Sequence, residues 1–149
     1  MHGTGTEVEL TGGCLCGAVR YRIAAAPVAT RACWCRACQY VGAGSGTVNA
    51  IFPTAALTIE GALAEYASPA DSGHRMRRRF CPRCGTSMFA NSEARPQFTG
   101  VRLGTLDDPN RINPEATIWT SAAPQWAVFD PALPRFERQP PPPGAPERR

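Results

Sequence analysis

No stretch of the chain approaches the ~18 consecutive apolar residues of a membrane-spanning helix, so a spanning helix is excluded. Residues 1–13 hold neither a basic start nor an apolar run of signal-peptide length, so no secretory leader is expected. No window keeps a helical period, and no repeat recurs beyond the paired cysteines. Histidine is scarce: there are two, and His2 sits at the terminus, which leaves little imidazole for acid–base work. The Trp 3, Tyr 3 and Phe 6 are spread along the chain rather than interleaved with a basic patch, so nucleic acid is not an expected partner.

What is there is cysteine. Seven fall into three clusters: Cys14-Leu15-Cys16, Cys33-Trp34-Cys35-Arg36-Ala37-Cys38 and Cys81-Pro82-Arg83-Cys84-Gly85. Disulfides are the obvious competitor to metal. Seven is odd, and a two-residue spacing closes a tiny, strained loop. With no leader, the chain reads as soluble and cytoplasmic, where thiols stay reduced and clustered cysteines bind metal. Four thiolates close a tetrahedral zinc site and three leave a position open. Seven therefore suggests one closed and one open site. With both filled, the thiolates would bring the formal +4 to about +1, which weakens any electrostatic case for nucleic acid.

At 149 residues, 43% of them hydrophobic, the chain can bury one core. Residues 18–23 alternate, with Val19, Tyr21 and Ile23 on one face and Arg20 and Arg22 on the other, the period of a half-buried strand. Residues 7–11 alternate too. Further strands are expected at 47–52, 57–60, 64–66, 74–80, 87–90, 98–103 and 117–121, separated by Gly and Pro. Residues 36–40 alone read as a helical turn. The expectation is a mainly β fold, a single β-rich zinc domain with short helical turns. Residues 1–11 are an N-terminal segment, partly strand; 12–138 are the zinc domain; 139–149 are a proline-rich tail expected to be disordered.

Spacing leaves the pairing of clusters open. Cys35/Cys38 with Cys81/Cys84 would make a ribbon-like site, but the 42 residues between Cys38 and Cys81 exceed the usual interval, and three cysteines are stranded. Cys14/Cys16 with Cys81/Cys84 leaves Cys33, Cys35 and Cys38 as a compact trio. Cys81-Pro-Arg-Cys84-Gly85 has the form of a zinc knuckle. The glycines Gly12, Gly13 and Gly17 would bend the chain around Cys14 and Cys16.

The ordered pattern Gly13-Cys-x-Cys-Gly17, Cys33-x-Cys-x-x-Cys38 and Phe80-Cys-x-x-Cys-Gly85 resembles the glutathione-dependent formaldehyde-activating enzyme family, whose domain is shared with centromere protein V. Gly104-Thr-Leu-Asp-Asp-Pro109, Ile118-Trp119, Trp126 and Asp130-x-x-Leu-Pro134-x-Phe136 extend the likeness from about Gly12 to Phe136. The resemblance implies an Mss4-like fold. It implies a structural zinc on Cys14, Cys16, Cys81 and Cys84, and a second, catalytic zinc on Cys33, Cys35 and Cys38, for which partial occupancy is allowed. The implied activity joins a small-molecule thiol, glutathione, to formaldehyde as S-hydroxymethylglutathione, a carbon–sulfur lyase in the reverse sense. The competing function is a zinc module that binds protein or nucleic acid without catalysis. The family often carries histidine between the first two cysteines of the trio. Here Trp34 stands there, offering an indole N–H and a flat apolar wall for the substrate.

His74-Arg-Met-Arg-Arg-Arg-Phe80 packs four arginines into seven residues, as a solvated strand face or as a clamp for substrate carboxylates. Trp119 and Trp126 are expected in the core, and Asp107-Asp108-Pro109 in a turn.

Overall fold

The computed structural model describes residues 9–141 of the chain. The N-terminal part of the 7–11 strand expectation, His2 and most of the proline-rich tail lie outside the described residues. The chain is mainly β, as expected, and its strands form two sheets.

The smaller sheet holds β1 (Leu10–Gly13), β2 (Arg20–Ile23) and β5 (Leu57–Glu60), in the order β1-β2-β5 and antiparallel throughout. The larger contains β3 (Ala29–Cys33), β4 (Thr47–Pro53), β6 (Ala64–Pro69), β7 (Arg75–Phe80), β8 (Ser87–Ser92), β9 (Phe98–Arg102) and β10 (Ala116–Ile118). Its order is β10-β3-β4-β9-β8-β7-β6, with only β10 and β3 parallel. One short helix, α1 (Arg36–Val41), follows β3. No described helix is long and apolar enough to cross a membrane.

The main core lies between the sheets. Tyr21 and Ile23 from β2 meet Phe52, Phe89 and Val101 from the larger sheet, all buried. Tyr21 and Phe89 pack edge to face at 5.4 Å. The Tyr21 hydroxyl is paired with Thr105 Oγ1 at 2.7 Å, which allows a phenol at this depth.

Four points differ from expectation. Gly12 and Gly13 are strand residues of β1, not a bend before Cys14. A side chain at Gly12 would collide with the Tyr21 hydroxyl and the Thr105 carbonyl, so glycine serves close packing there. The strand expected at 117–121 ends at Ile118: Trp119 takes a left-handed backbone (φ 58, ψ 36), and Thr120–Ala122 form a 3-10 turn. Strand β3 was not expected at all. Trp126, expected in the core, is 65% exposed, whereas Trp119 is buried.

The first residues of the expected tail are packed. Gln139 accepts a hydrogen bond from Trp119 Nε1 at 2.9 Å, and Pro140 is buried. Before them, residues 134–136 run along β10, with Thr117 N–H donating to the Pro134 carbonyl and Phe136 N–H to the Thr117 carbonyl, both at 2.9 Å. That backbone segment covers the edge β10 would otherwise expose.

Candidate metal centres and cavity

Two hairpins build the first sulfur cluster. Cys14 and Cys16 come from the turn between β1 and β2, Cys81 and Cys84 from the turn between β7 and β8. Gly17 (φ 82) and Gly85 (φ 78) take left-handed backbone that lets both turns curl back. The four sulfurs lie within 4.8 Å of one another, with Cys14–Cys16 at 3.7 Å and Cys16–Cys81 at 3.8 Å. Tetrahedral zinc with Zn–S bonds of about 2.3 Å needs sulfurs roughly 3.8 Å apart, so the set fits that ion. Surrounding donors suit thiolates. Val19 N–H points at Cys14 Sγ (3.2 Å), and Arg83 N–H at Cys81 Sγ (3.4 Å). Thr86 pairs with Cys84 Sγ at 3.1 Å and holds that thiol down to about 5. The same hydroxyl accepts from Leu15 N–H, tying one hairpin to the other.

The second cluster sits where β3 meets α1. Cys33 ends the strand, Cys35 caps the helix by accepting from Cys38 N–H at 3.4 Å, and Cys38 lies in the first turn. Their sulfurs also lie within 4.8 Å of one another. Cys33 donates first, then Cys35, to hold the Cys38 thiol far below its ordinary value, with Thr47 and the charge of Arg102 adding. The same sharing, chiefly with Cys35, pushes Cys33 far up. Three thiolates this close cannot coexist without a cation among them, so the donor set fits zinc here as well. No fourth His, Cys, Asp or Glu joins them among the described residues. All seven cysteines are free thiols.

Backbone and side chains fix the trio in place. Trp34 N–H donates to the Ile118 carbonyl at 3.1 Å. Buried Gln39 donates to the carbonyls of Trp34 (2.8 Å) and Ala122 (3.0 Å) and accepts from Arg36 at 2.5 Å. Gly46 (φ 63) passes so close that a Cβ would lie 2.5 Å from the Cys33 carbonyl oxygen.

The trio opens onto a cavity of about 330 Å³. Its floor is the face of the larger sheet turned away from the core. Alternate residues contribute: Arg31 and Cys33 from β3, Asn49 and Ile51 from β4, Phe98, Gly100 and Arg102 from β9, Ala90 and Ser92 from β8, Met76 and Arg78 from β7. The positions between, such as Ala50, Phe52, Phe89 and Val101, face the core, which is the two-residue period of a strand. The β6–β7 turn with Asp71 and His74, together with Trp119, Gln139 and Pro140, forms the walls.

Charge dominates this cavity. Arg31, Arg78, Arg95 and Arg102 line it, and none makes an ion pair among the described residues. Burial lowers the affinity of Arg31 and Arg102 for their protons, yet an arginine stays cationic. Asp71 is the one lining acid among the described residues, and its carboxylate accepts from Arg36 backbone N–H at 3.0 Å. In contrast Arg75 and Arg77, on the opposite face of β7, pair with Glu93 and Glu65 in solvent. The basic run thus splits, with His74, Met76 and Arg78 inward and Arg75 and Arg77 outward.

The sulfur sites expected from sequence are each assembled by the fold. Trp34 is not among the cavity's lining residues; its ring meets Trp126 at 6.3 Å and Phe129 at 5.7 Å, both edge to face. The indole facing the cavity is Trp119. Arg31, Arg95, Arg102 and Gln139 went unremarked in the sequence. The signal for Arg102 was available: Phe98, Gly100 and Arg102 alternate with Thr99 and Val101, which puts a cation on one face of a central strand.

The class is a mainly β domain with two cysteine clusters that could each hold a metal ion, one of four sulfurs at the sheet junction and one of three that lines a cavity. The family follows from comparison: the model of the glutathione-dependent formaldehyde-activating enzyme matches residues 9–122, and the chain belongs to that family. Membership supports a glutathione-dependent formaldehyde-activating or related function. A crystal structure of a Rhodobacter sphaeroides protein is similar, with 25% identity and a TM-score of 0.54 over 70% of this chain and 91% of that one. No curated protein matches.

Proposed function

We propose that the chain is a zinc-dependent carbon–sulfur lyase or synthase acting on thiol–aldehyde adducts, resembling S-(hydroxymethyl)glutathione synthase. One observation carries this reading: three convergent cysteines open onto a cavity whose four arginines have no acid partner among the described residues. A ligand suited to both is a thiol bearing carboxylates, and glutathione is one. The absence of a fourth protein ligand among the described residues, beside a cavity of ligand size, favours this over a non-catalytic zinc module. A cytoplasmic setting belongs to the same reading, since free thiols are what it requires.

The residues divide the work. Cys33, Cys35 and Cys38 would hold the catalytic ion, and Cys14, Cys16, Cys81 and Cys84 the structural one. Zinc on the trio would supply a vacant position that lowers a substrate thiol's pKa, so the thiolate forms at neutral pH. The arginines anchor carboxylates by charge-assisted hydrogen bonds and orient the sulfur toward the trio. Ile118 and Trp119, beside Cys33 and Cys35, keep water off the sulfur end.

The test is adduct formation from glutathione and formaldehyde, followed by NMR exchange. The zinc-loaded protein should accelerate it. Cys35→Ser should stay folded, keep about one zinc in place of two, and lose the acceleration. A wild type with both sites filled and no acceleration refutes the proposal.

A further inference from the structure

Arg102 is a buried cation whose donors the fold and the sulfur cluster do not all satisfy. It is 8% exposed, lines the cavity and has no carboxylate partner among the described residues. Nε donates to Ser87 Oγ at 3.2 Å; Nη1 donates to Asn49 Oδ1 at 2.7 Å and reaches Thr47 Oγ1 at 3.4 Å. These three neutral acceptors fix the guanidinium plane. Of the two N–H groups that remain on Nη2, one is taken up by the hydrogen bond to the Cys38 side chain, and the other has no protein acceptor among the described residues. Buried N–H groups are nearly always satisfied, so an unpaired N–H on a cation beside a cavity marks a place for a ligand atom. The place is at the sulfur end, because Arg102 reaches Thr47, the register partner of Cys33, and lines the cavity together with Cys33 and Cys38.

We infer that Arg102 is a catalytic residue whose Nη2 donates to the oxygen that becomes negative as a thiolate adds to the aldehyde. This rests on the proposed function and deepens it. The sulfur electron pair forms the new C–S bond, and the C=O π pair moves to oxygen. The alkoxide takes a proton from water, and the proton lost earlier by the thiol goes to solvent, so charge and atoms balance without an oxidant. In reverse, the alkoxide collapses and expels the thiolate. Three thiolates quench the electrophilicity of an ion at the trio, so stabilisation of that oxygen has to come from protein donors. Arg31 also acts on Cys33, but its Nη2 is engaged with the Pro141 carbonyl at 3.4 Å, which suits it to anchoring. An anionic oxygen could instead be a substrate carboxylate, and the two sources predict different kinetics.

The experiment compares wild type, Arg102→Met and Arg102→Lys as zinc-loaded full chains. Metal content and circular dichroism are measured first, then steady-state kinetics with glutathione and formaldehyde. In Arg102→Met both zincs should remain, kcat should fall about 100-fold or more, and the glutathione KM should change less than about threefold. Arg102→Lys, which keeps charge but loses the fork, should lose about tenfold in kcat. A second readout needs no turnover. Wild type should bind S-(carboxymethyl)glutathione about tenfold tighter than S-methylglutathione, and Arg102→Met should bring that ratio close to one.

An unchanged kcat with a raised thiol KM would make Arg102 a carboxylate anchor and overturn the inference. So would loss of the second zinc, or an unchanged binding ratio. If Arg102→Met does not fold, Arg102→Lys decides: full kcat with both zincs contradicts the assignment. A wild type with neither turnover nor a preference between the analogues overturns the proposed function along with it. An active wild type matched by an equally active Arg102→Met overturns this inference alone.

Discussion

Asp107 shows how one side chain joins distant parts of the chain. Its carboxylate accepts from Arg20 at 2.9 and 2.5 Å and from Thr11 at 2.6 Å, which fastens the β1–β2 hairpin to the segment after β9. The Arg20 hydrogen bonds, then that of Thr11, hold the acid down from 3.8 to about 2. Both partners of the ion pair are 47% exposed, so solvent screens the pair and its contribution stays below about 1 kcal/mol. A depressed carboxyl stabilises the fold above its unfolded value and loses that effect as pH falls toward the folded one. Asp107→Asn should therefore be slightly less stable than wild type at pH 7. The gap in denaturant midpoint should close between roughly pH 4 and pH 2. A gap that closes near pH 6 contradicts this account of the pair; metal loss in acid is common to both proteins. From sequence, Asp107 and Asp108 read as turn residues. Asp108 is one, its Oδ1 accepting from Asn110 N–H at 3.0 Å, but the Arg20 partner lies 87 positions away and local pattern cannot reveal it.

Among the elements, the two hairpins that carry Cys14, Cys16, Cys81 and Cys84 belong to different sheets, so a metal there cross-links the layers. Structural zinc sites of this kind contribute on the order of 10 kcal/mol or more to folding, whereas the trio links only β3 to α1. Cys81→Ser should abolish cooperative thermal unfolding or lower Tm by more than about 15 °C. Cys35→Ser should lower Tm by no more than about 5 °C. Equal losses in a circular-dichroism melt would contradict the division between a fold-holding site and an open one. The cysteine-bearing turns were legible because the spacing within each cluster is local: Cys-x-x-Cys-Gly specifies its own geometry. Strand β3 was not, because Ala-Thr-Arg-Ala-Cys carries weak β preference and is strand only through its pairing with β4 and β10. The misread end of β10 has a similar origin. Trp119 favours strand by type, but hydrogen bonds from Thr120 N–H to the Phe136 carbonyl and from Trp119 Nε1 to Gln139 hold it in the left-handed region.

For the whole molecule, the decisive feature is the two-sidedness of the larger sheet. One face completes the hydrophobic core; the other, through alternate positions on five adjacent strands, lines a cationic cavity with the trio at one end. The cavity arginines are drawn from positions 31 to 102, so their convergence follows from strand order and not from any motif. The basic run at 75–79 drew attention by density, yet of its four arginines only Arg78 lines the cavity. The central claim is that the chain holds two metal sites and that only the three-cysteine one is open to a thiol. Cadmium-113 NMR of the cadmium-loaded protein tests it most directly. Two resonances are predicted; glutathione should shift one of them, and Cys35→Ser should remove that same resonance while leaving the other in place. A single resonance, or a thiol that moves neither or both, would contradict it.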